Sequence, residues 1–292
     1  MSDFKQRFSS NVQQAEYWNS QMSKSSSTDG TLNNGADMSL IALLSAAPNA
    51  GAEQASTIAG LVDSSTGPLG DLGVLRNIPA PSFADRFATV PDFLPRGAFA
   101  EIHSQAEGLA AADRSLIPTH KKGGAVAYQT IIRDAPALVA LYRGEALNSF
   151  ISRIVGEPVH LTPLQDQSSL SVLAYERPGD HIGWHYDHNF YRGRHFTLLL
   201  PVVNFGSAPC GHSHAKLIVM LNGAEIEVAS PPNKLVVFEG ARVLHRVTPV
   251  QANERRLVVS MTYCADPRIS TLGEAARRVK DTAFFGIKAL WS

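Results

Sequence analysis

The sequence predicts an α+β fold in which a β-barrel or β-sandwich is flanked by helices. Short segments rich in β-branched and aromatic residues, separated by turn residues, recur between about residues 168 and 264. Apolar residues at helical spacing dominate residues 83–157, ahead of those segments. The predicted strands follow one another without intervening helices, which favours a barrel or sandwich over a sheet built from βαβ units.

The strands are predicted from segment length, residue type and flanking turns. One strand runs to Tyr175 and ends at the turn Pro178-Gly179, and the next contains His185. Later strands are predicted at residues 196–203, 215–221, 224–228, 235–238 and 257–263.

Helices are predicted where apolar residues recur every three or four positions, at residues 98–112, 135–142 and 146–155. Between the first two, Lys121 and Lys122 precede a predicted strand at residues 125–132. These lysines are interpreted as part of a solvated turn, with contact to an anionic substrate group as the alternative. The apolar segment 282–291 is expected to pack back on the barrel.

The first 80 residues are organised differently from residues 81–292, which we interpret as one enlarged domain. Residues 23–34 form a polar low-complexity linker, and residues 38–47 and 52–62 are predicted to be short helices. These helices either support the barrel, form a dimer contact or cover the functional site. Neither is long enough to cross a bilayer, and the apolar stretch begins too far inside the chain for a secretory signal.

Composition argues against several classes of function. The formal net charge is zero, with 26 basic and 26 acidic side chains, so the chain lacks the electrostatic footprint of a nucleic-acid-binding protein. The two cysteines, Cys210 and Cys264, do not make a disulfide framework and are expected to be reduced. We therefore expect a soluble cytoplasmic protein that binds neither nucleic acid nor membrane.

A candidate metal site dominates the chemistry of the sequence. On a strand, residues i and i+2 project to the same face, so His185 and Asp187 can bind one ion while Tyr186 points away. His245, far downstream, is the candidate third ligand. Two imidazoles and one carboxylate leave coordination positions open, an arrangement that suits non-haem Fe(II) activating dioxygen.

Flanking motifs give this set its weight, because a His-x-Asp pair alone arises easily by chance. The motifs are Tyr175 before Pro178-Gly179, Gly193-Arg194 ahead of Thr197, Pro231 ahead of the strand at 235–238, His245 ahead of Pro249-Val250, and Arg255-Arg256 ahead of a strand. In their order and spacing the chain resembles the Fe(II)- and 2-oxoglutarate-dependent dioxygenases. The resemblance is to the branch that contains prolyl hydroxylases and free-standing small-molecule hydroxylases, and it covers roughly residues 168–264.

The resemblance implies a double-stranded β-helix, or jelly roll, with its core at about residues 168–264 of a dioxygenase domain at 81–292. It implies that His185, Asp187 and His245 hold Fe(II), and that O2 and the cosubstrate 2-oxoglutarate bind at the same centre. In such enzymes 2-oxoglutarate chelates iron through its keto-acid group. Its far carboxylate meets a basic residue on the strand after the second histidine.

Strand alternation selects Arg256 as that basic residue. On an alternating strand Arg256 shares a face with Ser260 and Thr262, which suit a polar pocket, while Arg255 lies on a face suited to packing under helices. A guanidinium presents a planar pair of donors that matches a carboxylate. Spacing from His245 favours Arg255 in some relatives, so Arg255 stays the alternative partner. The alternative role for Arg256 is a solvated charge at the strand end.

Other residues are interpreted more simply. Tyr175 is expected to line the cosubstrate pocket, with a core aromatic as the alternative. Thr197 is expected to be an ordinary β-branched strand residue. His212 and His214 lie where relatives often carry a Gly-Gly-x-Leu turn and are interpreted as loop residues, with a second metal site as the alternative. Five residues flank the predicted strand that contains His185 and could contact substrate: His181, Trp184, His188, Asn189 and Tyr191.

The resemblance implies hydroxylation of an unactivated C–H bond in a small molecule, such as a free amino acid or a natural-product intermediate. Halogenases of the family carry a small residue in place of the acid so that chloride can bind, whereas Asp187 fills that position here. Four alternatives stay open: desaturation, cyclisation, hydroxylation of a protein or peptide, and a non-catalytic jelly-roll binding module. A homodimer also stays open.

Overall fold

Two antiparallel sheets face each other across an apolar interior, and helices cover the outer face of the larger sheet. The computed structural model describes residues 69–70, 72–112, 115–116 and 121–285, which all lie in the unit Ala47–Ser292. This arrangement agrees with the predicted α+β fold.

The helices in the described residues are α1 (Arg96–Ala112), α2 (Tyr128–Asp134), α3 (Pro136–Arg143), α4 (Glu145–Val155) and α5 (Thr271–Phe285). Pro136 begins α3, where a missing N–H leaves no helical bond unmade, and Gly156, with a φ of 77°, ends α4. Apolar residues of α1 to α4 pack on the larger sheet in one continuous core.

The strands of the described residues are β1 (Phe87–Val90), β2 (Ser115–Leu116), β3 (Lys121–Lys122), β4 (Gly124–Val126), β5 (His160–Leu161), β6 (Leu170–Tyr175), β7 (His181–His185), β8 (Tyr191–Phe205), β9 (Leu217–Leu221), β10 (Ala224–Val228), β11 (Leu235–Phe238), β12 (His245–Val247) and β13 (Arg255–Ile269). The larger sheet has the order β1-β11-β8-β13-β6-β4-β2, with β5 paired to β13. The smaller sheet has the order β10-β9-β12-β7-β3.

The two faces of β13 separate the helix-covered core from the interior between the sheets. Leu257, Val259 and Met261 belong to the core under the helices. Val258 belongs to a smaller apolar cluster that draws residues from both sheets. Because side chains alternate along a strand, the even-numbered residues of this segment face the interior between the sheets.

The strand predicted at residues 125–132 is wrong beyond Val126. β4 ends at Val126, and α2 begins at Tyr128. Tyr128 and Ile131 are fully buried at helical spacing. Burial of that helix face outweighs the strand preference of Ile131 and Ile132.

Several predictions lie outside the described residues. These are the linker at 23–34, the helices at 38–47 and 52–62, and the end of the apolar segment 282–291. Within the described chain, none of the helices combines the length and the hydropathy that a membrane crossing requires.

Candidate active site

Two histidines face each other at the end of the smaller sheet. His185 ends β7, His245 begins β12, and the two lie directly opposite in the antiparallel register of these strands. Their ring centroids are 4.1 Å apart. His245 is buried, and its ring packs edge-on against Phe238 of the larger sheet at 4.7 Å between centroids. The pairing thus brings the two predicted imidazole ligands together.

Hydrogen bonds to backbone carbonyls fix the tautomer of each histidine. His185 Nδ1 lies 2.9 Å from Gly183 O, and His245 Nδ1 lies 2.9 Å from Val243 O. A carbonyl oxygen only accepts, so each Nδ1 carries the hydrogen and each Nε2 of the neutral ring keeps its lone pair. Backbone carbonyls commonly orient metal-binding histidines in this way.

Asp187 lies two residues beyond the end of β7. Strand alternation was the predicted reason for its orientation, but contacts with other residues hold it instead. Its amide N–H donates to Gly240 O at 3.0 Å, and its Oδ2 accepts from the Thr197 hydroxyl at 2.5 Å. A Cβ on Gly240 would overlap both Asp187 Oδ2 and Thr197 Oγ1, so this close approach requires glycine. Tyr186 is exposed, as predicted.

The contact with Thr197 leaves Asp187 Oδ1 beside the two imidazoles. His185 Nε2 and His245 Nε2 each lie 3.7 Å from Asp187 Oδ1, and the three donor atoms fall within 4.8 Å of one another. Burial raises the pKa of Asp187, but His245, His185 and the Thr197 hydroxyl together bring it down to about 2. One ionised carboxylate and two imidazoles that turn Nε2 toward it form a donor set that suits non-haem Fe(II).

Arg256 faces the interior between the sheets, opposite Tyr175 on β6 and Asn204 on β8. It is 2% exposed, its Nη1 donates to Ala215 O at 3.2 Å, and its Nε has no hydrogen-bond partner in the described chain. Burial lowers the pKa of Arg256, and the neighbouring Tyr175 opposes that shift. A guanidinium buried in this way can donate hydrogen bonds to the carboxylate of a ligand.

Arg255 is already paired with carboxylates. Its Nε donates to Glu176 at 2.7 Å, and its Nη1 donates to Glu107 of α1 at 2.6 Å. Partial burial lowers the pKa of Arg255, but the hydrogen bonds with Glu107 and Glu176 outweigh this effect and raise it. Arg255 therefore ties α1 to β13, and of the two arginines it is Arg256 whose guanidinium lies buried between the sheets.

The loop histidines do not make a second metal site within the described residues. His214 Nδ1 lies 2.5 Å from Glu254 Oε1, and the same oxygen accepts from the His214 amide. Within the described residues, the ligand atoms close enough together to hold one ion belong to His185, Asp187 and His245. The interpretation of His214 as a loop residue therefore stands.

The residues beside the metal strand each have a local partner. These pairs are His181 Nδ1 with Gly179 O, the Trp184 ring with the Arg246 guanidinium, the His188 ring with the Phe190 ring, Asn189 Nδ2 with Gly193 O, and the Tyr191 hydroxyl with Asp166 Oδ2. These contacts shape the loop between β7 and β8.

Two residues of the site were not found by sequence reasoning. Thr197 was expected to be an ordinary strand residue, yet its hydroxyl orients Asp187. Gly240 had no assigned role, yet its carbonyl and its missing side chain place Asp187. Their positions carried a usable signal, because Thr197 belongs to a motif of the resemblance and Gly240 lies between β11 and His245.

Comparisons with known proteins give a partial family match and a shared fold. A family model described as Halogenase D (HalD) matches residues 80–208, which is less than half of the chain. No curated protein matches the chain.

Solved structures with the same fold include the α-ketoglutarate-dependent carbocyclase SnoK from nogalamycin biosynthesis, with a TM-score of 0.54 at 12% identity, covering 70% of this chain and 92% of that one. A prolyl hydroxylase from Trichoplax adhaerens, solved with a hypoxia inducible factor peptide fragment, has a TM-score of 0.53 at 16% identity and covers 70% and 93%. The α-ketoglutarate-dependent epimerase SnoN has a TM-score of 0.51 at 17% identity and covers 66% and 82%. The chain therefore has the jelly-roll fold of the non-haem iron, 2-oxoglutarate-dependent oxygenases.

Proposed function

We propose that this chain is an Fe(II)- and 2-oxoglutarate-dependent oxygenase that hydroxylates a C–H bond of a small molecule, such as a free amino acid or a natural-product intermediate. The observation that carries the proposal is the convergence of His185 Nε2, His245 Nε2 and Asp187 Oδ1 within 4.8 Å. A non-catalytic binding module would need neither this donor set nor a guanidinium buried like that of Arg256.

The residues fit both groups that such a reaction needs. Fe(II) would be held by His185, Asp187 and His245, whose donor atoms are already oriented by the protein. The far carboxylate of 2-oxoglutarate would pair with Arg256, whose Nε has no partner in the described residues. When bound, iron and 2-oxoglutarate would activate O2, which is the oxidant: one oxygen atom would go into succinate as 2-oxoglutarate loses carbon dioxide, and the other would go to the substrate.

The protein would contribute orientation and an apolar interior. Burial raises the pKa of Tyr175, which lies beside Arg256, to about 12, so its hydroxyl is protonated at neutral pH and can donate to an anionic cosubstrate. Leu199, Val219 and Phe238 belong to the apolar cluster between the sheets. Buried apolar side chains lower the local dielectric constant, which strengthens charged contacts made between the sheets.

A halogenase is the second candidate, because the matching family model is Halogenase D. The matched residues 80–208 include His185 and Asp187 but stop before His245. Asp187 argues against halogenation, since its carboxylate occupies the position that chloride would need. Desaturation and cyclisation would use the same ligands as hydroxylation and differ in the mass of the product.

The experiment is anaerobic addition of Fe(II) and 2-oxoglutarate, followed by O2 and a metabolite mixture. We expect a visible metal-to-ligand charge-transfer band from chelated 2-oxoglutarate, and then succinate together with a metabolite that gains the mass of one oxygen. His245→Ala should lose both the band and the succinate.

His160→Ala is the matched control, because His160 is an exposed histidine on β5. It should behave like the wild type. A wild-type protein that shows no band and no 2-oxoglutarate-dependent turnover would contradict the proposal, and so would a His245→Ala variant with normal turnover.

A further inference from the structure

His195 is a buried imidazole that the proposed iron and 2-oxoglutarate sites do not use. It is 4% exposed, and its Nδ1 is buried without a hydrogen-bond partner in the described chain. The great majority of buried polar atoms in folded proteins are paired, so an unpaired one calls for an absent partner such as a ligand.

The register of β8 and β13 places His195 next to the metal ligands. His195 and Thr197 are two residues apart on β8 and so face the same side, and the Thr197 hydroxyl contacts Asp187. His195 is also close enough to Asp187 for the carboxylate to act on its charge. Across the sheet, His195 lies opposite Cys264 of β13, and Thr197 lies opposite Thr262.

The same register separates His195 from the cosubstrate end of the interior. Along β13 the order is Arg256, then Thr262 beside Thr197, then Cys264 beside His195. The pair Thr197 and Thr262, whose Thr197 hydroxyl contacts Asp187, thus lies between Arg256 and His195. 2-Oxoglutarate would reach from Arg256 to the proposed metal ligands. The primary substrate would then approach from the side opposite Arg256, which is the side of His195.

Apart from the proposed ligand Asp187, the charged groups that act on His195 are paired with each other. Asp166 Oδ2 accepts from the Tyr191 hydroxyl at 2.6 Å, and Asp166 Oδ1 accepts from Lys280 Nζ at 2.9 Å. Lys280 also pairs with Asp281 at 2.9 Å. The Tyr191 ring stacks along the His195 ring at 6.3 Å between centroids. A charged substrate group on this side would therefore have to compete with existing ion pairs for a partner of opposite charge.

Resting on the proposed function, we propose that His195 hydrogen-bonds an uncharged polar group of the primary substrate, namely a hydroxyl, a carbonyl or an amide. A neutral imidazole can both donate and accept, so it can serve each of these groups. Burial lowers the pKa of His195, while Asp187 and Asp166 oppose the shift, and the lowered pKa favours the neutral ring.

The test uses ring compounds that differ in one group. Benzyl alcohol and benzamide carry uncharged polar groups, toluene carries none, and benzylammonium and benzoate are charged. Their binding is measured by ligand-observed NMR on the enzyme loaded with Zn(II) and 2-oxoglutarate. For the wild type, we expect benzyl alcohol and benzamide to bind about tenfold tighter than the other three, as one added hydrogen bond predicts.

Two variants separate the role of the hydrogen bond from that of the volume. His195→Leu should remove the preference for benzyl alcohol and benzamide over toluene, whereas His195→Gln, which can still donate and accept, should keep it. An unchanged ranking in His195→Leu, tightest binding by a charged compound, or no binding by any compound would overturn the proposal.

The charge-transfer band with Fe(II) and 2-oxoglutarate distinguishes this proposal from the proposed function. The band should be present in the wild type and in both His195 variants, which also shows that the variants fold. If the wild type lacks the band, the proposed function fails. If the band is present but the ranking does not depend on His195, only the substrate contact fails.

Discussion

At the scale of single residues, one hydroxyl sets the orientation of the proposed metal ligand Asp187. The Thr197 hydroxyl donates to Oδ2 of Asp187, which leaves Oδ1 facing the two imidazoles. Thr197→Val removes the hydroxyl with little change of shape, so Asp187 should lose this restraint. We expect the affinity for Fe(II) to fall about 10- to 100-fold, the range found when outer partners of metal ligands are removed.

The measurement is anaerobic calorimetric titration with Fe(II), or with Co(II) as a redox-stable substitute. Thr197→Ser is the matched control, because it keeps the hydroxyl and should bind metal nearly as the wild type does. Equal affinities of the Thr197→Val and wild-type proteins would mean that the backbone contact with Gly240 orients Asp187 without help.

The two adjacent arginines give a second prediction at this scale. Arg256→Lys should raise the KM for 2-oxoglutarate by about 10- to 100-fold, because a lysine cannot replace a two-pronged, charge-assisted pair. Arg255→Lys is the control: Arg255 pairs with Glu107 and Glu176, so its effect should appear in stability instead. Steady-state kinetics with varied 2-oxoglutarate measure both variants. The reverse pattern would assign the cosubstrate to Arg255.

At the scale of secondary-structure elements, sequence patterns located strands best where turns bound them. The strands predicted at 224–228 and 235–238 match β10 and β11. The pattern failed at α2, where apolar residues in a short segment fit a strand or a buried helix equally well. Packing against the rest of the fold decides such cases, and a single sequence does not contain that packing.

The site was predictable where its residues carry chemistry and less so where they only position others. The proposed ligands His185, Asp187 and His245 are recognisable because few residue types bind iron. The hydrogen bond from Thr197 depends on how a loop folds back after β7, which strand alternation does not describe. His195 carries no sequence signal at all, because its proposed role depends on the register between β8 and β13.

Glu254 joins two elements next to Arg255 and Arg256. Its carboxylate side chain is fully buried and accepts from the amides of Gln251 (2.8 Å) and His214 (2.9 Å), as well as contacting the His214 ring. It thereby fixes the turn before β13 to the loop after β8. Burial raises the pKa of Glu254, but these hydrogen bonds outweigh burial and lower it.

The lowered pKa makes a prediction about acid stability. A carboxyl group whose pKa falls on folding stabilises the protein above its unfolded value, about 4.3 for glutamate, and this stabilisation is lost as the pH falls through the folded value. Glu254→Gln should lower the free energy of unfolding by about 1–3 kcal/mol at pH 7. As the pH falls from the unfolded value of about 4.3 through the lower folded value, the difference from the wild type should shrink, since the carboxyl group becomes protonated first in the unfolded and then in the folded protein.

Urea unfolding at a series of pH values between neutral and about pH 3 measures this effect. Glu225→Gln is the control, because Glu225 is exposed on β10 and its ion pair with Arg246 lies at the surface. A gap between Glu254→Gln and wild type that stays constant with pH would show that hydrogen bonding rather than charge accounts for the stabilisation.

At the scale of the whole molecule, two likenesses point to different reactions. The Halogenase D model matches residues 80–208, which contain α1 to α4 and the strands through β8. The fold is shared with a prolyl hydroxylase, an epimerase and a carbocyclase over about two thirds of the chain. A shared fold does not choose among reactions, so the choice depends on the ligands themselves.

Asp187 makes that choice testable through chloride. Its carboxylate is held by Thr197 and Gly240 beside both imidazoles, so the wild type should have no place for chloride on the metal. With substrate, O2, 2-oxoglutarate and high chloride, we expect mass spectra to show oxygenated or dehydrogenated product and no chlorinated product. The same salt concentration as sulfate is the control and should give the same products.

Asp187→Gly should lose most of the activity, because one of the three proposed ligands is gone. A small chlorinated fraction from this variant would be compatible with the argument. A chlorinated product from the unmutated protein would assign it to the halogenases, and an unaltered oxygenation rate in Asp187→Gly would remove Asp187 from the metal site.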